Sequence, residues 1–234
     1  MSSVQTAESS RRHHSPPLGI VAIVFCVLFC AGLYPVTSFG GKPYFPGPWE
    51  SAQTIVNFFQ ARPSAVQWCA FLQFGAAIPL GIFTASAVSR LKFLGVRAAG
   101  ADIALFGGFA TAISVLASSS VLWTMTRPEV THDTAATMAL YYFAYGLGGP
   151  GYSVPLGLLI AGLSVPALVM RIVPRWIPIV GLVLALIGEL SWLNIMIPAA
   201  LPLIPLTRFP GFLWLIVFGF ALPVTTTRPS GGAQ

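Results

Sequence analysis

Apolar residues in this chain gather in long uninterrupted blocks, without the alternation of half-buried strands. Six blocks run at approximately 18–39, 64–88, 101–125, 136–170, 177–199 and 209–225. A helix crosses the hydrocarbon core of a bilayer with about 20 apolar residues, within a range of about 17–25. The pattern therefore predicts an all-α fold, a polytopic bundle of six transmembrane helices over residues 17–226. Residues 1–16, rich in Ser, Arg and His, are expected to be a disordered cytoplasmic tail, and 227–234 a second one. The first block runs on through Gly32-Leu33-Tyr34-Pro35-Val36 without a small-x-small cleavage site, so it reads as an uncleaved span.

The fourth block is too long for one ordinary crossing, roughly 50 Å if fully helical. It contains Gly146-Leu147-Gly148-Gly149-Pro150-Gly151 and then Pro155. Such a cluster kinks or breaks a helix, because proline lacks the N–H and glycine costs backbone entropy. A kinked long helix is the favoured reading; the others are a surface helix near Thr137–Tyr145 followed by a crossing from about Tyr152 to Met170, and a broken helix within a protein-lined cavity. Between blocks one and two, Gly47-Pro48-Trp49-Glu50 supplies a helix start. Trp49, Ala52, Ile55, Val56 and Phe59 then form one apolar stripe opposite Gln53, Asn57 and Gln60. This predicts a short interfacial helix on the outer membrane surface, with a lid over an outward-facing cavity as its functional alternative.

Composition sharpens the picture. The chain has 234 residues, 56% hydrophobic and 8% charged, with a net charge of +6. The basic residues are scattered between apolar blocks, which argues against nucleic-acid binding and for the positive-inside rule. A cytoplasmic N-terminus puts Arg11, Arg12, Arg90, Lys92, Arg97, Arg171, Arg175 and Arg228 inside, against Lys42, Arg62, Arg127 and Arg208 outside. Six spans with both termini cytoplasmic, in the cell (inner) membrane, is the expected multi-pass arrangement, with the lipid bilayer as the obligatory partner.

Glu189 is the ionisable residue near the centre of the fifth block, with no basic residue inside that block. A charge at the bilayer centre costs at least about 2.5–3.5 kcal/mol, so it is expected to face protein or trapped water. A carboxyl that ionises only on hydration suits proton coupling or cation binding. Helical spacing groups Leu182, Ala185, Leu186, Trp192, Leu193 and Met196 with it, and Asn194 lies on a neighbouring face. The candidate intramembrane polar site is Glu189, Gln73, Asn194, Trp192 and Tyr145. If the spans divide three and three as an inverted repeat, Gln73 and Glu189 occupy corresponding depths. Tyr141, Tyr142 and Tyr145 read as an aromatic belt or a cavity wall, and Trp123 and Trp176 as belt anchors.

Other chemistry has thinner support. Cys26 and Cys30 share a helix face, but buried small hydrophobes are the ordinary reading, as for Cys69. Glu129, His132 and Asp133 are metal-ligand types without a recognised spacing, and Asp133 reads better as a helix N-cap. His13, His14 and His132 all lie outside the blocks, which excludes intramembrane bis-histidine haem. No Cys-x-x-Cys, Gly-x-Ser-x-Gly or nucleotide-binding motif occurs, and no cofactor is expected.

The run Arg171-Ile172-Val173-Pro174-Arg175-Trp176-Ile177, with the closing stretch Phe209-Pro210-Gly211-Phe212-Leu213-Trp214-Leu215, resembles bacterial polytopic membrane proteins grouped as a domain of unknown function. The resemblance implies a span layout of about six helices and carries no catalytic residue. Three functions are consistent with the sequence. The first is a small transporter or carrier of a proton, cation or small amphiphile with Glu189 in its path. The second is a non-catalytic accessory module that binds lipid or a partner. A membrane enzyme acting on lipid ranks last, since no nucleophile or metal set accompanies the acid.

Overall fold

A computed structural model describes residues 10–227. The helices are α1 (Leu18–Leu33), α2 (Ala52–Ala61), α3 (Pro63–Phe93), α4 (Gly100–Thr124), α5 (Pro128–Thr131), α6 (Thr134–Gly148), α7 (Pro150–Val169), α8 (Trp176–Leu190) and α9 (Leu203–Ala221). Short 3-10 turns extend α1 to Val36 and α8 to Ile195. Six segments are long and apolar enough to cross a membrane: Leu18–Val36, Pro63–Phe93, Gly100–Thr124, Thr134–Val169, Trp176–Ile195 and Pro198–Ala221. The protein is a six-span all-α bundle.

Large apolar side chains point outward from each span, among them Val27, Phe71, Phe106, Phe143, Leu186 and Leu213. A water-soluble protein rarely exposes a contiguous apolar belt of this kind, whereas acyl chains cover it without cost. Inside, α7 packs against α4, α8 and α9, with α3 and α1 completing the bundle. Leu156, Leu159, Ile160 and Leu163 of α7 are fully buried. Glycines let α4 and α7 approach backbone to backbone. A Cβ on Gly107 would lie 2.5 Å from the Leu159 amide nitrogen, and one on Gly162 2.5 Å from the Gly100 carbonyl oxygen.

Both ends of the described chain meet on one face, here the terminal face. Strand β1 (Ser10–Arg12) pairs antiparallel with β2 (Thr225–Thr227), Arg11 opposite Thr226. The His13 amide continues the pairing to the Val224 carbonyl. The tail expected to be disordered over 1–16 is therefore ordered from residue 10, because its backbone finds a partner strand; its residues 1–9 lie outside the described residues, as do 228–234 of the second tail, with Arg228. Arg90, buried at the end of α3, ties these segments to the bundle. It donates to the Leu222 carbonyl at 3.2 Å, the Ser15 hydroxyl at 2.7 Å and the Pro16 carbonyl at 3.1 Å.

Three sequence expectations change. The fourth segment is helical on both sides of one residue, Gly149, where α6 ends and Pro150 opens α7 as its first residue. Helix α2 is present, and its apolar stripe faces protein. Ile55, Phe58 and Phe59 are buried in a cluster with Val36, Met125 and Tyr141, Val56 is buried as well, and Trp49 is exposed. Protein contacts bury more apolar area per residue here than one-sided contact with headgroups would. Finally, the last helix begins at Leu203, ahead of the expected 209, and this carries Arg208 from the outer connection into the bundle.

Candidate functional site

The half of the bundle distant from the termini encloses a cavity of about 380 Å³. Five spans contribute to it: Phe29 and Leu33 from α1, Cys69 and Gln73 from α3, Val115, Ser118 and Leu122 from α4, Ala144 to Tyr152 across the α6–α7 break, and Ile204 and Arg208 from α9. Thr37, Leu201 and Pro205, the more exposed lining residues, form its rim on the distal face. Phe45 from the first distal connection closes one side, packed on Phe58, Phe59 and Tyr141. Helix α2 meets the cavity only through Phe45, behind which Phe58 and Phe59 stand. Arg62 holds this connection in shape, donating to the carbonyls of Pro35 and Gly40 at 2.9 Å each and to that of Lys42 at 3.2 Å.

Arg208 is the cation of the cavity. Its Nη2 donates to the Gly148 carbonyl, one of the last α6 carbonyls, which the break leaves free of a helical partner. Its guanidinium carbon sits 5.0 Å from the Tyr152 ring centre and 5.4 Å from that of Phe29. Aromatic faces stabilise a desolvated guanidinium by about 2 kcal/mol or more and hold its plane. Its Nε and the hydroxyl of the fully buried Tyr152 are donors without a partner. The ion pair found among the described residues is Lys92–Asp102, far away at the terminal face, so Arg208 has no carboxylate partner among them.

The residues singled out from the sequence divide into three sets. Gln73 and Tyr145 line the cavity, and Asn194 stands behind it, fully buried, accepting a hydrogen bond from the Tyr145 hydroxyl. Tyr141 is buried too, donating to the Pro46 carbonyl at 2.7 Å within the apolar cluster beside the cavity, so Tyr145 alone of the three tyrosines lines it and Tyr142 is exposed. Glu189 is half-buried on α8 and does not line the cavity. Its Oε1 is buried without a hydrogen-bond partner and rests against Gly157 of α7, 3.3 Å from where a Cβ there would lie. Trp192 is 53% exposed on the lipid-facing side, away from the site.

Sequence reasoning missed Arg208, because a charge at the edge of an apolar block marks the block's end under the positive-inside rule. The turn-forming Pro202 and Pro205 hid the earlier helix start. Asp133 caps α6, accepting from the Ala135 and Ala136 amides at 2.8 and 3.1 Å. Among the described residues no group of three or more His, Cys, Asp or Glu side chains gathers to hold a metal. A larger groove of about 760 Å³ lies between α3 and α4, walled by Trp68, Phe71 and Trp123, but it opens to the lipid side and carries only neutral groups. No protein-family model, curated protein or solved structure matches this chain.

Proposed function

We propose that this multi-pass membrane protein binds a small amphiphilic ligand in the Arg208 cavity, as a carrier or lipid-handling module. The observation that carries the proposal is a guanidinium set in a membrane span, at a helix break, with unfilled donors and no acidic neighbour. Ionisable residues inside spans are costly and are retained where they face a cavity or a pathway. Discontinuous helices are the usual way for membrane proteins to present backbone polar groups to a ligand. The volume lies within the 300–1,000 Å³ typical of small-molecule sites.

The support shifts from Glu189 to Arg208: a half-buried acid outside the cavity offers no continuous path for a proton or cation. We also place the terminal face on the cytoplasmic side of the cell membrane. Arg12, Arg90, Lys92, Arg97, Arg171 and Arg175 lie there, against Lys42, Arg62 and Arg127 on the distal face. With Arg208 withdrawn into the bundle, six against three among the described residues keeps the two-to-one excess of the sequence. The cavity then opens outward.

The test uses purified protein in nanodiscs of zwitterionic phospholipid, titrated with decanol as a neutral alkyl probe and corrected for empty discs. Wild-type protein should bind it saturably. Leu201→Trp, which narrows the rim, and Val115→Phe, which fills the interior, should each weaken binding at least tenfold. Absence of saturable binding, or indifference to Leu201→Trp in a folded protein, rejects the proposal.

A further inference from the structure

The charge and donor pattern of the cavity restrict what occupies it. We infer that the ligand is a monoanionic amphiphile, a carboxylate or phosphodiester head on a compact apolar body; this rests on the binding role proposed above. At roughly 30 Å³ for each water-sized group, the cavity takes on the order of a dozen non-hydrogen atoms.

Charge balance comes first. Arg208 is the sole charged residue among the lining side chains, so one negative charge neutralises the site. A dianion would leave a surplus charge in a low-dielectric surrounding, and an ammonium would add a second cation; desolvation disfavours both. The polar groups point the same way. Three buried groups without a partner can donate: Arg208 Nε, the Tyr152 hydroxyl and, behind Tyr145, the Asn194 side-chain amide; the Gln73 amide in the lining can donate too, beside its own acceptor oxygen. An oxyanion accepts from such groups, and a carboxylate engages a guanidinium through two parallel N–H bonds. Phe29 and Tyr152, whose ring centres lie 5.5 Å apart, both pack near the guanidinium, at 5.4 and 5.0 Å from its carbon. Leu33, Val36, Phe45, Val115, Leu122 and Ile204 supply the surface for the apolar body.

Decanoate, decanol and decyltrimethylammonium carry one chain and three head charges, and are titrated into the same nanodiscs. Wild-type protein should bind decanoate at least tenfold more tightly than decanol, and decyltrimethylammonium most weakly. Arg208→Gln should bring decanoate and decanol within about threefold of each other, and Arg208→Lys should fall between. Should Arg208→Gln misfold, Tyr152→Phe keeps the ring and removes one donor; it should weaken decanoate selectively. Added phosphatidylglycerol that displaces decanoate identifies a bilayer phosphodiester as a source of the anion, and failure to displace it assigns the site to a free acid. Equal binding of decanoate and decanol by wild-type protein, or a preference that survives in folded Arg208→Gln, overturns the inference while leaving the binding role intact. Loss of decanol binding as well would strike the binding role itself.

Discussion

Arg208 and Glu189, of opposite charge, both lie away from the ends of their spans, and their surroundings separate their roles. Arg208 is met by two aromatic faces, a backbone carbonyl and a cavity. Glu189 meets the glycine surface of α7 and lies outside that cavity. If ligand recognition depends on the cation, Glu189→Gln should leave decanoate affinity within about twofold of wild type in the nanodisc titration. A tenfold loss in a folded variant would return the acid to the ligand path. The Glu189 neighbourhood also explains Gly157: a larger side chain there would press on both the carboxyl and the α8 backbone, 3.0 Å from the Ala185 carbonyl.

At the level of whole helices, the bundle depends on how closely α7 approaches α4. Without a hydrophobic drive between helices in lipid, close van der Waals packing of small residues holds them together. Gly107 and Gly162 form that seam, each facing the backbone of the other helix. Gly162→Leu should part the helices, with an overpacking cost of about 1–3 kcal/mol or more. Thermal unfolding in detergent should show a lower midpoint, whereas Gly146→Leu, with nothing near its Cβ, should change it little. The break at Gly149 works differently. It frees the Gly148 carbonyl for Arg208, so an element that looks like a defect in the helix supplies the anchor of the site.

Across the molecule, the two ends of the described chain are fastened by the β1–β2 pair and by Arg90, which joins α3 to the segments preceding α1 and following α9. His13 belongs to this junction, within 3.1 Å of the Ser89 hydroxyl and beside the Phe93 ring. Burial, the Arg90 guanidinium and His14 hold its pKa below the ordinary imidazole value. An unfolded chain therefore binds more protons at this residue than the folded one once the pH falls below that value, so the junction loses stability on acidification. Above it both states are neutral and no dependence remains. Amide exchange at residues 10–13 and 224–227 should be faster near pH 5 than near pH 8, after correction for intrinsic rates, and His13→Gln should abolish the difference. Identical protection at both pH values would remove His13 from the junction's energetics.

The count and approximate limits of the spans were legible in the residues alone. Crossing hydrocarbon demands about twenty apolar residues in a row, whatever they later pack against. The break at Gly149-Pro150 and the Asp133 cap were legible for the same reason: each is a property of a few adjacent residues. Amphipathicity showed that α2 buries Ile55, Val56 and Phe59, but not that protein, with Phe58 and Tyr141, receives them. Gln73 and Tyr145 stood out as polar groups at depth, yet their meeting in one cavity joins α3 to α6. Arg208 read as the edge of a span until Gly148, Phe29 and Tyr152 were seen around it. Solvation and periodicity act within a segment and so leave their mark on its sequence. The partner of a buried charge is chosen by contacts between residues up to 179 positions apart, as for Phe29 and Arg208, and only folding brings those together.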